Sequence, residues 1–288
     1  MADATAKTVT TVEVTTAKRR AGRLAVWASY AILAVVALVV VLADLIAPYE
    51  PNAQDLNAIL LPISGDHLLG TDDLGRDVLS RMLHGTRVSV VAAALAVGIA
   101  VVIGFPLGVL AGYSGRWVDA VVMRIVDAVM SFPAIVLAIG ITATMGPDIN
   151  TAMTAVGIVL APTIIRLARA QTMAVKQQTY IEASRSFGAR GLRRLILPHV
   201  VPNVIQPILV QVAILMGFAL IAEASLSFLQ LGVRPPTASW GSVLSRSYTF
   251  FDQAPVQIFV PGAAIALTVF ALNIVGDEIQ RLLDPKRR

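Results

Sequence analysis

The chain has 288 residues, of which 56% are apolar and 14% charged, against about 45–50% and 25% in soluble domains. That balance excludes an ordinary soluble enzyme and indicates a membrane protein. The formal charge is +5. With no cysteine in the chain, disulfide frameworks, thiolate metal sites and cysteine nucleophiles are excluded. His67, His84 and His199 are far apart, and none belongs to a pattern that sets two imidazoles on one helical face. No metal or cofactor is expected.

Residues 1–23 read as a mobile cytoplasmic tail, basic near its end at Lys18, Arg19, Arg20 and Arg23. A helical span needs about 20 apolar residues, and six uncharged stretches approach that length. The first, residues 24–43 within a span of about 24–46, exceeds the 7–15 residues of a signal-peptide core and is expected to be retained. An outer segment, about 47–87, leads to a five-helix core of about 88–277. Its stretches run over residues 88–113, 128–147 (beginning near 118), 149–165, 200–222 and 254–276. A cytoplasmic connection covers about 171–203, and a basic end covers 286–288. Continuous apolar runs, without barrel alternation, predict helices and exclude a β-barrel.

Eighteen of the 23 Lys and Arg residues fall on one side if both termini are cytoplasmic. Positive charge retained inside therefore predicts an N-in, C-in, six-helix topology. It also accounts for the basic charge without nucleic acid. On the second span, Ala92, Ala96, Ala100, Gly104, Gly108 and Gly112 recur every four residues, which predicts close packing against another helix. Pro106 should kink that span, while Pro133, Pro162, Pro207 and Pro261 interrupt or flank others.

Asp44, Asp119, Arg124, Asp127, Glu223 and Asp277 lie in or near spans. Charge at that depth serves either structure or a substrate or ion path. Arg124 and Asp127, three residues apart, have the spacing of a helical pair.

The connection between the fourth and fifth spans reads as two short helices. Thr179 and Glu182 fit a capping box, Tyr180, Ala183 and Phe187 form an apolar stripe, Gly188 suits a helix end, and Gly191 allows a turn before residues 192–197. A helix presenting Phe187 beyond the bilayer either lies on lipid headgroups or enters a partner's groove. The residues leave both open.

Glu182-Ala183-Ser184, Gly188 six residues after the Glu, and a Pro-terminated apolar run resemble the EAA loop of permease subunits in bacterial ABC importers. From Gly188 to Pro202 this chain is one residue longer than that pattern. Gly70-Thr71-Asp72-Asp73-Leu74-Gly75-Arg76-Asp77, continuing to Arg81 and followed by Gly85, Arg87 and Ser89, resembles the outer segment of the dipeptide/oligopeptide/nickel branch. Residues 223–241, with Glu223, Pro235, Pro236, Trp240 and Gly241, are similar to that branch's outer loop, with Gln230 in place of Gly and Ala238 in place of Pro. The likeness covers roughly residues 24–285 and is to the C-type permease. Taken singly, residues 70–81 also fit a solvated turn before an amphipathic helix, with Asp72 and Asp77 as caps, and Trp240 also fits an interfacial anchor.

The resemblance implies an all-α type I ABC importer permease that moves di- or oligopeptides, nickel, glutathione or another small solute. Its implied partners are a second homologous permease, two ATP-binding subunits and an extracytoplasmic solute-binding protein, with Tyr180, Glu182, Ala183, Ser184, Phe187 and Gly188 coupling to the ATPase. No phosphate-cradling G-x-x-x-x-G-K-[ST] run is present, so ATP hydrolysis is expected in another chain. A secondary carrier or channel is the rival from another class, and a membrane-embedded enzyme a more distant one.

Overall fold

The computed structural model describes the backbone of residues 2–187 and 191–283, with side chains from Arg23 onward except those of Arg185 and residues 192–194. The tail expected over residues 1–23 lies, apart from Arg23, outside the fully described residues, as do Gly188 and the basic end 286–288. The helices are α1 (Ala2–Ile46), α2 (Val78–Ser114), α3 (Arg116–Met130), α4 (Ala134–Met145), α5 (Ile149–Lys176), α6 (Thr179–Ser186), α7 (Val201–Phe228), α8 (Trp240–Thr249) and α9 (Val256–Leu283); a π-helical segment, Leu192–Val200, leads into α7. Among the described residues the only β pairing is one isolated bridge, Thr71 with Asp77.

Five stretches are long and apolar enough to cross a bilayer: Arg23–Ile46, Val78–Ser114, Ile149–Lys176, Leu195–Phe228 and Val256–Leu283. Counting α3 and α4 as one broken span gives six. The third stretch, expected over residues 128–147 and beginning near 118, is broken at Pro133: α3 and α4 meet at 89°. Pro133, at the N-cap of α4 with ψ 125°, has no N–H to continue the α3 ladder, and the chain turns through Ser131 and Phe132. The other spans run past their apolar stretches. α2 begins ten residues before residue 88 because the Asp77 carboxylate caps it by accepting from the Ser80 N–H. Pro106, Pro162, Pro207 and Pro261 sit inside continuous helices.

The core is the contact of α2 with α5. The four-residue stripe of α2 is buried along its length and faces α5. A Cβ built on Gly104 would lie 2.6 Å from Ile164 Cβ, on Gly108 2.5 Å from the Ile165 carbonyl oxygen, and on Gly112 2.7 Å from the Arg169 carbonyl oxygen. From the other side, a Cβ on Gly157 of α5 would lie 2.7 Å from the Ala96 carbonyl oxygen. Lipid tails are as apolar as leucine, so helices associate here through dispersion contacts at close backbone approach. α7 covers this pair, α1 and α9 pack outside it, and large apolar side chains such as Val102, Phe218 and Phe259 stay exposed on the perimeter, as a lipid-facing surface requires.

Interhelical ion pairs brace one end. Arg169 of α5 holds Asp119 of α3 through two donors, its Nη2 at 2.6 Å from Oδ2. Arg166 Nη2 donates to Asp127 Oδ1 at 2.7 Å. Asp127 thus pairs across helices, correcting the Arg124–Asp127 pair expected from spacing. At the same end Lys176 donates to the Tyr113 carbonyl at 2.8 Å.

Gly108→Ala should destabilise the purified protein by about 1–3 kcal/mol, because its new methyl meets backbone that cannot yield. Gly98→Ala, with nothing within 4 Å of its Cβ position, should stabilise it by about 0.5–1 kcal/mol through helix propensity. Thermal melting in detergent checks the opposite signs.

Candidate coupling helix and outer polar cluster

The Gly70–Asp77 block forms one turn at the end opposite α6, buried except at half-buried Asp73 and Leu74. The solvated-turn reading is corrected: Thr71 is 0%, Arg76 2% and Asp77 3% exposed. The local sequence dictates the turn. Gly70 and Gly75 have φ of +75° and +68°, and a Cβ on Gly75 would sit 1.8 Å from the Asp55 carbonyl oxygen, so glycine is required on both counts. Asp72 Oδ1 accepts the N–H groups of Leu74 and Arg76 at 2.9 and 3.0 Å, and Oδ2 accepts Arg76 Nε at 2.7 Å. Asp77 Oδ2 accepts both the N–H and hydroxyl of Ser80 at 2.7 Å, while Oδ1 lies 3.0 Å from His67 Nδ1. Both aspartates cap, as the sequence allowed, but inside the protein.

This turn is tied to residues far along the chain. Gln257 of α9 donates to the Thr71 carbonyl at 2.7 Å, Arg81 reaches the carbonyls of Pro51 and Pro236 at 3.0 and 3.3 Å, and Arg246 of α8 grips Asp73 with two donors, Nη2 at 2.7 Å. Burial alone would raise the Asp73 carboxyl, but the hydrogen bonds and charge of Arg246 outweigh it and hold the carboxyl below its ordinary value.

Trp240 is buried, 2% exposed, which corrects its reading as an interfacial anchor. Its indole Nε1 donates to Thr86 Oγ1 at 3.1 Å and its backbone N–H to Ser89 Oγ at 3.0 Å. Ser89 in turn donates to Glu223 Oε2 and Ser227 to Glu223 Oε1, both at 2.8 Å. Glu223, 1% exposed, therefore ties α7 to α2 and α8, a structural role. Gly241 permits this approach, since its Cβ would fall 2.6 Å from Ala224 Cα. Gln230, standing where the resemblance places Gly, takes the left-handed backbone with φ +62°. Ala238 is buried, and Pro235 and Pro236 lie exposed in the loop before α8.

At the other end, α5 stops at Lys176 and the chain turns into α6. The capping box expected of Thr179 and Glu182 does not form: the Glu182 N–H donates to the Gln178 carbonyl at 3.3 Å, so the helix starts one residue earlier than that box requires. Ile181 is fully buried and anchors α6. Tyr180 Oη donates to the His199 carbonyl at 3.3 Å and accepts from Asn203 Nδ2 at 3.1 Å, joining α6 to the start of α7. Ser184 Oγ donates back to the Tyr180 carbonyl at 2.9 Å. Gly191 has φ +76°, the turn expected there, but the second short helix is of π type and runs to Val200 around Pro198. Glu182 and Ala183 are exposed, and Phe187 is 92% exposed. Gly188 lies outside the described residues.

Sequence reasoning missed the Arg246–Asp73 and Gln257–Thr71 ties. The signal was present only as polar residues beside apolar spans with no local partner.

The Asp73 carboxylate, lowered in the folded state, contributes stability above the ordinary Asp pKa of about 3.9. That contribution is lost as pH falls through the lower folded value. Asp73→Asn should therefore melt below wild type at pH 6, with the gap narrowing near pH 3; melting curves at the two values check it.

The chain matches the family described as "Binding-protein-dependent transport system inner membrane component" over residues 104–288. It is 40% identical over 258 residues, 90% of this chain and 86% of the relative, to the probable D,D-dipeptide transport system permease protein DdpC of Escherichia coli (strain K12). It is 40% identical over 245 residues, 85% of this chain and 81% of the relative, to the glutathione transport system permease protein GsiD of Pectobacterium atrosepticum. Its fold is similar to a chain of the inward-facing MetNI methionine ABC transporter, at TM-score 0.58 and 18% identity, covering 72% of this chain and 97% of that one. With its apolar spans, this makes it an integral membrane protein and a transport component. The chain belongs to the family of binding-protein-dependent transport system inner membrane components.

Proposed function

We propose that the chain is the non-catalytic permease subunit through which di- or oligopeptides cross the bacterial cytoplasmic membrane. It works with a second homologous permease, two ATP-binding subunits and an extracytoplasmic solute-binding protein. The observation that carries this reading is α6, a short helix held by buried Ile181 that presents Glu182, Ala183 and Phe187 outward. A nearly fully exposed Phe gains only when a partner covers it, and a helix in a partner's groove is the geometry for passing a push between chains. Rigid attachment through Tyr180 to the segment before α7 lets movement of α6 reach the spans. The names of relatives support peptide cargo, and the glutathione relative supports a small peptide-like solute as the second reading.

The test is uptake and ATP hydrolysis by the complete transporter in proteoliposomes. Glu182→Lys and Phe187→Ala should each lower dipeptide uptake at least tenfold, a loss of about 1.4 kcal/mol or more in coupling. Membrane content should stay at wild type, and the partner's hydrolysis should no longer respond to peptide. Gly188→Pro should do the same. Wild-type uptake in all three variants, or ion-gradient-driven uptake by this chain alone, would overturn the proposal.

A further inference from the structure

At the outer end, between the Asp73–Arg81 stretch, the loop after α7, and α8, lies a cavity of about 390 Å³, within the usual range for small-ligand sites. Four guanidinium side chains, Arg76, Arg81, Arg234 and Arg246, line it together with Asp73 and Gln230. Among the described residues, the carboxylates paired with these four are two. Asp73 is taken by Arg246, and Asp72 lies beside Arg76 and Arg81, with Arg81 Nε 3.6 Å away. Arg234 is exposed and meets no carboxylate within 4 Å among the described residues; its Nε donates to the Pro147 carbonyl. Arg76 is buried, 2% exposed. Its Nη2 lies 2.6 Å from Asp72 Oδ2, which pairs it within the turn.

Positive charge in excess of its counter-charges around a cavity is costly unless an anion completes it. Gln230, in left-handed backbone at the cavity, adds a neutral amide to the wall. We infer that this cavity binds the carboxylate of a small peptide on the outer face of the permease, with Arg234 as its principal donor. Guanidinium groups match carboxylate and phosphate alike. Carboxylate is assigned because the proposed cargo ends in one, so the inference rests on the proposed function.

The test is equilibrium binding of labelled dialanine to the complete transporter in lipid nanodiscs without its solute-binding protein. Competition uses dialanine amide and, separately, inorganic phosphate. Saturable binding of dialanine is expected, at least tenfold tighter than its amide, the discrimination of one charge-assisted contact. Arg234→Gln should weaken it about tenfold. Gln230→Glu, which adds an isosteric anion and removes no positive charge, should weaken it similarly. Equal binding of dialanine and its amide, unchanged binding in both variants, or no saturable dialanine binding while labelled phosphate binds would each overturn the assignment. Loss of coupling in the α6 variants concerns the other end of the molecule, so failure of the transport reading would appear in uptake and failure of this site in binding.

Discussion

Within a bilayer there is no hydrophobic gain in moving an apolar side chain from lipid to protein, so two helices stay together only if their backbones come close enough for dispersion contacts to accumulate. In this chain that condition is met between α2 and α5 by glycines for which even a methyl group would strike backbone or Ile164. Both ends of the protein hang from this pair. α2 opens on the Asp77 cap and carries the outer turn; α5 closes on Lys176 and leads directly into α6. A displacement of α6 therefore acts on the same rigid pair that supports the outer cluster.

The two ends are built on opposite principles. The outer turn buries its charges and gives them partners: Asp72 faces Arg76, Asp77 faces Ser80 and His67, and Asp73 faces Arg246. Burying an unmatched charge costs several kcal/mol, so this network fixes one arrangement of the outer segment, α8 and α9. The Glu223 network does the same between α2, α7 and α8 with hydroxyls in place of cations. On α6, among the described side chains, Ile181 is the one that is buried, and Glu182, Ala183 and Ser186 are exposed. The outer turn is tied to distant parts of the chain, whereas α6 presents an exposed face.

What the sequence disclosed followed from periodicity. The Ala/Gly stripe of α2 was legible because its six positions repeat every helical turn, and nothing beyond one helix is needed to see it. The turn glycines at 70 and 75 and the Asp77 cap were legible because their causes lie within a few residues. Pairing between distant segments was not. Asp127 has Arg124 at a suitable spacing, yet its carboxylate meets Arg166 because α3 packs against α5. Asp73 and Arg246 are 173 positions apart, and nothing local marks them as partners. Trp240 misled for a related reason: an indole beside a span suits the interface as well as the core, and only Thr86 and Ser89 on α2 decide between them. For α6, the residues could say that Phe187 would be exposed but not what covers it.

The central claim is that α6 is received by an ATP-binding subunit. Because the chain contains no cysteine, Ser186→Cys places a unique thiol on an exposed residue at the end of that helix and leaves Phe187 in place. A short thiol-to-amine crosslinker applied to native membranes, with the adduct identified by mass spectrometry, tests the claim directly. The account predicts a single major adduct with a subunit carrying a phosphate-binding loop, weakened when nucleotide changes that subunit's conformation. Adducts confined to amine-bearing lipid headgroups, with no ATP-binding subunit captured, would contradict it.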